Sequence, residues 1–302
     1  MSVVEKTYKN GEIIIKEGDS GNSFFRILEG KAYVFSDYEK KDQLQLTILE
    51  EGEYFGEMSI LEDYPRSATI IAKGSARVLE ILSDDMGDYF EDHPDQLFEL
   101  MKHLGNRVQS MENDYNDAKA LLTKLREADD KNSKSLFAKI KKHINMYQSN
   151  KDKIIEPSAD AIRETLASAA DDAFGQIESY PSGSVIYNEG DDGDCMYILH
   201  VGKVSLYQNY DSSNCTKLNE YTDNSYFGEM EMLSGNARKA TAVSEDDETY
   251  VEIIRPEDFE GIFRSCPVKI IVILRHLSYR LRKLNNDFLN ICKEITEQYG
   301  DK

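Results

Sequence analysis

A carboxylate and a guanidinium nine residues apart are the residues best placed to do chemistry in this chain, and the pair occurs twice. Phe55-Gly56-Glu57-Met58 is followed by Arg66 and Ala68-Thr69, and Phe227-Gly228-Glu229-Met230 by Arg238 and Ala240-Thr241. The two sets are 172 residues apart, and Gly11/Gly183, Gly18/Gly190, Gly21/Gly193 and Gly30/Gly202 keep that spacing. No insertion separates the copies between Gly11 and Thr69. An arginine offers a planar, charge-assisted fork to phosphate oxygens. A carboxylate cannot favour a phosphate, so Glu57 is expected to accept hydrogen bonds from hydroxyls, as on a ribose. Gly56 lets the backbone come close, and a helical turn through Met58-Ser59-Ile60-Leu61 would present free N–H groups. One cation beside one carboxylate suits a nucleotide with a single negative charge. A triphosphate would require a GxxxxGK[ST] loop, which the sequence lacks.

The elements that hold these residues read as short strands broken by glycines and acidic residues. In the first copy they are Ile13–Ile15, Phe24–Leu28, Ala32–Phe35, Leu44–Leu49, Thr69–Ala72 and Val78–Ile81. In the second they include Val185–Tyr187, Met196–Leu199 and Val204–Tyr207. Many short strands at near-regular spacing predict a sandwich or jelly roll rather than a βαβ sheet.

A long helix follows each β unit. Leu97, Met101, Leu104, Val108, Met111, Tyr115, Ala118, Leu122 and Leu125 step by four and three. Ile270, Leu274, Leu277, Leu281, Leu284, Phe288, Ile291 and Ile295 do the same at an offset of 173, so one residue has been inserted between unit and helix. Alternating steps of four and three define a coiled-coil seam, about 29 residues and roughly 45 Å long. The alternative is that each seam packs its helix on its own β unit. The predicted organisation is α+β: a first domain over residues 1–125, a helical linker over 126–172, and a second domain over 173–302. The linker carries two helical patterns, Leu136, Phe137, Ile140, Ile144 and Tyr147, then Ser158 as N-cap with Ile162, Leu166, Ala169, Ala173 and Ile177. Its seven lysines between Lys131 and Lys153 suit a solvated face or a docking surface for an acidic partner.

The chain has 302 residues and a net charge of −20. That charge argues against a broad duplex-DNA surface without excluding a local anion pocket. The four cysteines form no CxxC pair, so neither a zinc site nor a disulfide framework is expected and a reducing cytoplasm fits. No apolar run is long enough to span a membrane, and Met1–Lys6 lacks a signal peptide's apolar stretch.

Taken in order, Glu17-Gly18-Asp19-Ser20-Gly21, Leu28-Glu29-Gly30, Phe55-Gly56-Glu57 and Pro65-Arg66-Ser67-Ala68-Thr69 resemble the cyclic nucleotide-binding domain family. That family is found in the catabolite activator protein, in regulatory subunits of cAMP-dependent protein kinase and in cyclic-nucleotide-gated channels. The second copy has Glu189-Gly190-Asp191, Gly193, Val201-Gly202, Phe227-Gly228-Glu229 and Ala237-Arg238-Lys239-Ala240-Thr241. The resemblance covers about residues 8–118 and 178–292. It implies two β-rolls with flanking helices. It places Gly56, Glu57, Met58 and Arg66, and Gly228, Glu229, Met230 and Arg238, around a cyclic nucleotide, with the arginines on the phosphate and the glutamates on the ribose 2′-hydroxyl. The second copy departs at Ala237 and Lys239, which puts its occupancy in doubt. In the family the residue after the arginine can contact guanine's amino group. Ser67 suits either base, whereas Lys239 only donates, which tilts the choice toward cAMP. Tyr115 and Phe288, at equivalent helix positions, can cap a base or pack in the seam.

These readings converge on a non-catalytic cyclic nucleotide sensor without cofactor or metal, acting on a protein partner. Its helices would pair within one chain, imitating a catabolite-activator-like dimer, or between chains in a homodimer. Two alternatives are a kinase regulatory subunit, disfavoured by the missing Arg-Arg-x-Ser/Ala segment and the short lead before the first repeat, and a transcription regulator, disfavoured by charge and by the end at Lys302. No catalytic Ser/His/Asp set or metal cluster is visible, and the five histidines sit in unrelated contexts.

Overall fold

The computed structural model describes residues 3–41, 43–61, 65–127 and 175–299. The two helical patterns and the lysine-rich stretch expected between Lys131 and Ala173 lie outside the described residues. The first repeat is a six-stranded antiparallel roll: β1 (Val4–Tyr8), β2 (Ile13–Ile15), β3 (Ser23–Ser36), β4 (Leu44–Leu49), β5 (Tyr54–Phe55) and β6 (Thr69–Leu82). The order is β1-β6-β3-β4, with β2 also on β6 and β5 on β3. The strands expected at 24–28 and 32–35 are one continuous β3, and those at 69–72 and 78–81 are one continuous β6. The polar stretch between each pair is a bend rather than a break. Gly30 sits at φ +86°, and bulges on either side of Glu29 turn the strand while it stays paired with β6. A Cβ at Gly30 would stand 2.2 Å from the Ser75 carbonyl oxygen, so only glycine fits that close crossing. Along β3 the alternate residues Phe25, Ile27, Ala32 and Val34 face the core with Phe55, Ile70 and Val78.

In the second repeat the same path does break. The strands β7 (Gln176–Tyr180), β8 (Val185–Tyr187), β9 (Met196–Val201), β10 (Lys203–Gln208), β11 (Thr216–Thr222), β12 (Ser225–Phe227), β13 (Thr241–Ser244) and β14 (Thr249–Ile254) form two four-stranded sheets. These are β11-β10-β13-β8 and β12-β9-β14-β7. The turn from β13 to β14 is fastened by the fully buried Ser244, whose hydroxyl meets Thr249 Oγ1 at 2.8 Å and the Asp246 carbonyl at 3.0 Å. Ile177, expected to end a helix, lies instead in β7 and pairs with Glu252 of β14. Its i, i+4 spacing from Ala173 fits a helix, but pairing with the open edge of β14 fixes the segment as a strand.

Among the described residues the α-helices are α1 (Glu57–Leu61), α2 (Met86–Asp92), α3 (Pro94–Glu127), α4 (Glu229–Ser234), α5 (Phe259–Ser265) and α6 (Pro267–Tyr299). At 34 and 33 residues, α3 and α6 exceed the expected 29. Each starts earlier, on a proline whose missing N–H costs nothing at a first helical position. The described chain groups into two compact units. One holds residues 3–89, 107–127 and 277–299; the other holds residues 90–106 and 175–276. Within the second unit, Phe98 and Phe90 of the first repeat meet Phe259 and Phe263 at ring-centroid distances of 5.6 and 6.2 Å.

Within the first unit, α3 packs along α6. Ala118, Leu121 and Leu122 meet Phe288, Cys292 and Ile295, with Met111, Tyr115 and Ile291 alongside. Leu121 and Cys292 fall outside the predicted four-three seam, because the buried stripe is wider than a strict seam. Arg280 pairs with Glu112, and Arg126 with Glu294 at 2.5 Å; each pair is 168 residues apart in sequence. A constant difference means that the two helices run parallel in fixed register.

Cys292 is fully buried in this contact, and burial pushes its thiol up to about 12. Cys195 and Cys266 are also buried, while Cys215 is exposed. Alkylation of the native chain near pH 8 is therefore expected to label Cys215 first and the other three only on unfolding. Early labelling of Cys292 would mean that the helix pair stands open.

Candidate functional site

The predicted arginine and glutamate are both buried in each roll. In the first, the chain leaves β5, turns at Gly56 with φ +80°, and enters α1 at Glu57. Arg66 is 6% exposed. Its Nη1 donates to the Gly56 carbonyl and to Ser59 Oγ, both at 2.7 Å, and its Nη2 donates to the Ser23 carbonyl at 2.5 Å. Burial lowers the pKa of the guanidinium, while the nearby Glu57 and Glu80 carboxylates oppose that shift. Arginine nevertheless stays cationic at neutral pH. Gly21 and Gly56 make room for it: a Cβ would stand 2.1 Å from Nε at Gly21 and 2.6 Å from Nη1 at Gly56.

The backbone beneath the arginine is pinned as well. The Gly18 N–H donates to the Arg66 carbonyl and the Arg66 N–H to the Asp19 carbonyl, both at 2.9 Å. The Glu17 N–H reaches Thr69 Oγ1 at 3.1 Å, and the Glu17 carboxylate accepts from the Asp37 N–H at 2.8 Å. The second roll repeats each of these bonds. Gly190 N–H donates to the Arg238 carbonyl at 2.9 Å and Arg238 N–H to the Asp191 carbonyl at 2.8 Å. Glu189 N–H reaches Thr241 Oγ1 at 3.0 Å, and its carboxylate accepts from Asn209 N–H at 2.9 Å. Arg238 donates to the carbonyls of Gly228 at 2.7 Å and Cys195 at 2.6 Å. The Glu-Gly-Asp motifs thus shape the loop that carries the arginine.

Glu57 is 3% exposed, and its Oε1 lies 2.7 Å from Nη1 of Arg107 on α3. Arg107 also passes 3.8 Å from the Met58 sulfur. The carboxylate expected to meet hydroxyls is therefore already clamped to the long helix.

The two sites differ in what surrounds the guanidinium. Ser59 is replaced by Glu231, whose Oε2 stands 3.9 Å from Nη1 of Arg238. Ile15 and Phe25 are replaced by Tyr187 and Tyr197, whose ring centroids lie 4.5 and 5.6 Å from the guanidinium carbon. Among the described residues the buried Nε of Arg238 has no hydrogen-bond partner. Met230 and Glu229 are buried, and Ser67 and Lys239 are exposed beside their arginines. Tyr115 and Phe288 sit in the packed contact between α3 and α6, where they fill the core. Arg107 and Glu231 were not singled out from the sequence. Glu231 faces Ser59 in the 172-residue alignment, so a signal existed; Arg107 is one of several charges on α3 and gave none.

Residues 5–93 and 177–266 match the model of the cyclic nucleotide-binding domain. That is more than half of the chain, which therefore belongs to the cyclic nucleotide-binding domain family and carries the domain twice. It is 26% identical over 247 residues to a cAMP-dependent protein kinase regulatory subunit of Dictyostelium discoideum, covering 81% of this chain and 61% of that protein. It is 35% identical over 108 residues to human cGMP-dependent protein kinase 2, covering 35% of this chain and 14% of that protein. The chain thus spans less than two thirds of the length of these relatives. The solved regulatory domain of Toxoplasma gondii PKA with cAMP aligns over 88% of this chain and 84% of that one, at 16% identity and a TM-score of 0.28.

Arg107→Ala would leave the Glu57 carboxylate buried without its cation. The expected cost is about 1–3 kcal/mol of stability, since a buried charged acceptor has lost its partner. Arg107→Lys should recover part of it. Chemical denaturation of the three proteins checks this, and equal midpoints would mean that Glu57 does not depend on α3.

Proposed function

We propose that this chain is a non-catalytic sensor of cyclic mononucleotides, cAMP in preference to cGMP, that converts occupancy of its pockets into altered packing of α3 and α6. The observation that carries this reading is the joint placement of Arg66 and Glu57. A buried cation stands against two glycines where a phosphate can approach, and the adjoining carboxylate is held by a helix arginine. A ribose hydroxyl that donates to Glu57 competes with Arg107, which gives the ligand different contacts in two helix states. Only such a difference can shift a conformational equilibrium. The residues proposed to meet the ligand are Gly56, Glu57, Met58, Arg66 and Ser67, with Gly228, Glu229, Met230, Arg238 and Lys239 in the second site. The cAMP preference rests on Lys239, which can only donate and so cannot accept from guanine's amino group.

The α3–α6 contact supports intrachain pairing in coiled-coil fashion: an apolar stripe flanked by cross-helix ion pairs at constant register. The proposed site of action is the cytoplasm, for which four free cysteines are the support. Among the described residues no helix is long and apolar enough to cross a membrane. A second reading, a regulatory subunit that binds a kinase catalytic partner, is favoured by the Dictyostelium relative.

Calorimetry with cAMP and cGMP on the wild type, Arg66→Ala and Arg238→Ala tests the ligand assignment. The expected outcome is that cAMP binds more tightly than cGMP and that Arg66→Ala abolishes the stronger event. Absence of binding by either nucleotide at micromolar concentration would refute it. In sedimentation the chain is expected to remain a monomer of 34.5 kDa with and without ligand. A stable dimer would exclude purely intrachain pairing.

A further inference from the structure

We propose that Glu231 sets the selectivity of the second pocket by acting as a built-in counter-ion to Arg238, so that a phosphate monoanion binds there more weakly than in the first pocket. This rests on the sensor reading above and deepens it. The two sites share a scaffold, bond for bond, which isolates the few differences around the guanidinium. In the first, the neighbour at this place is the neutral Ser59, which accepts from Arg66 Nη1 at 2.7 Å and donates to the Gly56 carbonyl at 2.9 Å. In the second it is a carboxylate 3.9 Å from Arg238, with only 13% of its side chain exposed.

The loop is shaped to hold that carboxylate. A Cβ at Gly193 would stand 2.5 Å from Glu231 Cβ and 2.5 Å from the Asn236 carbonyl, so the chain closes directly over the glutamate stem. The aligned Gly21 in the first roll gives room to the arginine instead. The Glu231 carbonyl accepts from the backbone N–H groups of Gly235 and Asn236, which fixes where its side chain begins. The Tyr187 ring, 4.5 Å from the guanidinium carbon, answers more of the same positive charge.

The charge balance follows. In the first pocket Glu57 is matched by Arg107 and Glu80 by Lys6, which leaves Arg66 as the net charge facing a ligand. In the second, Arg238 is already matched by Glu231, so an incoming anion gains less attraction and meets a carboxylate where the first pocket offers a hydroxyl. The pocket keeps an unused donor, the buried Nε of Arg238, and an added acceptor in Glu231.

Calorimetry with cAMP on the full chain tests this in two backgrounds. With the first pocket disabled by Arg66→Ala, Glu231→Ser and the near-isosteric Glu231→Gln are each expected to tighten binding by at least about tenfold, equivalent to about 1.4 kcal/mol. With the second pocket disabled by Arg238→Ala, Ser59→Glu is expected to weaken the first pocket by about as much. If the first pocket binds cAMP normally but neither Glu231 variant binds more tightly, this inference is overturned and the sensor reading stands. If the unmodified first pocket binds no cyclic nucleotide, the sensor reading itself fails.

Discussion

A guanidinium removed from water must have its charge answered on the spot, and both β-rolls are organised around that need. Leaving an arginine buried and unmatched costs several kcal/mol. Backbone carbonyls supply the answer, from Gly56 and Ser23 in one roll and from Gly228 and Cys195 in the other. Those carbonyls come from segments far apart in sequence. The strand pairing that sets β5 against β3, and β12 against β9, is what brings them to one point. Glycine placement serves the same end, since a side chain at Gly21, or at Gly56 with its positive φ, would occupy the arginine's place. Sheet topology, glycine placement and the paired backbone bonds under Arg66 and Arg238 thus converge on one desolvated cation in each roll.

The same constraint explains why the two copies diverged where they did. A buried arginine tolerates several kinds of neighbour provided its charge is met. The first roll surrounds it with a serine, an isoleucine and a phenylalanine. The second uses a glutamate and two tyrosines, and Tyr197 stacks between Tyr187 and Phe227 in the core. Desolvation raises the pKa of Tyr187, so the ring stays neutral and offers Arg238 its π face rather than a phenolate. The carbonyl anchors did not change, because removing one would leave the cation short of an acceptor. Around the guanidinium, the divergence fell on the neighbours that meet its charge while the carbonyl anchors stayed the same.

Much of this could be read from the chain alone, and the failures have physical causes. The arginines, glutamates and glycines were legible because duplication marks them out against residues free to drift. The long helices were legible because their apolar spacing runs without a miss, though the buried stripe takes in Leu121 and Cys292 beyond the strict seam. The continuous β3 and β6 were not legible. Polar residues at a bend resemble a loop, and only the partner strand shows that pairing continues through Gly30. Ile177 was misplaced because two apolar residues four apart suit a helix, and the competing strand edge lies more than 70 residues away in sequence. Arg107 gave no signal because an ion pair across 50 residues leaves no local pattern. Glu231 did leave one, and it emerges when the two copies are compared residue by residue instead of motif by motif.

The position of Arg107 ties the pocket to the helix pair. Arg107 and Glu112 lie five residues apart on α3, and 3.6 residues per turn puts them roughly 140° apart around its axis. The first holds Glu57 of the roll and the second holds Arg280 of α6. Helix α3 is therefore fastened on two different faces by two ion pairs about one and a half turns apart. A stiff helix fixed in this way cannot rotate or slide to suit one contact without straining the other. Closely packed elements answer such strain by moving between discrete arrangements rather than deforming continuously. On the sensor reading proposed above, a ligand that draws Glu57 toward itself acts on Arg107, and through the helix on the Glu112–Arg280 pair. Transmission from the pocket to the paired helices then requires only the rigidity of about one and a half helical turns.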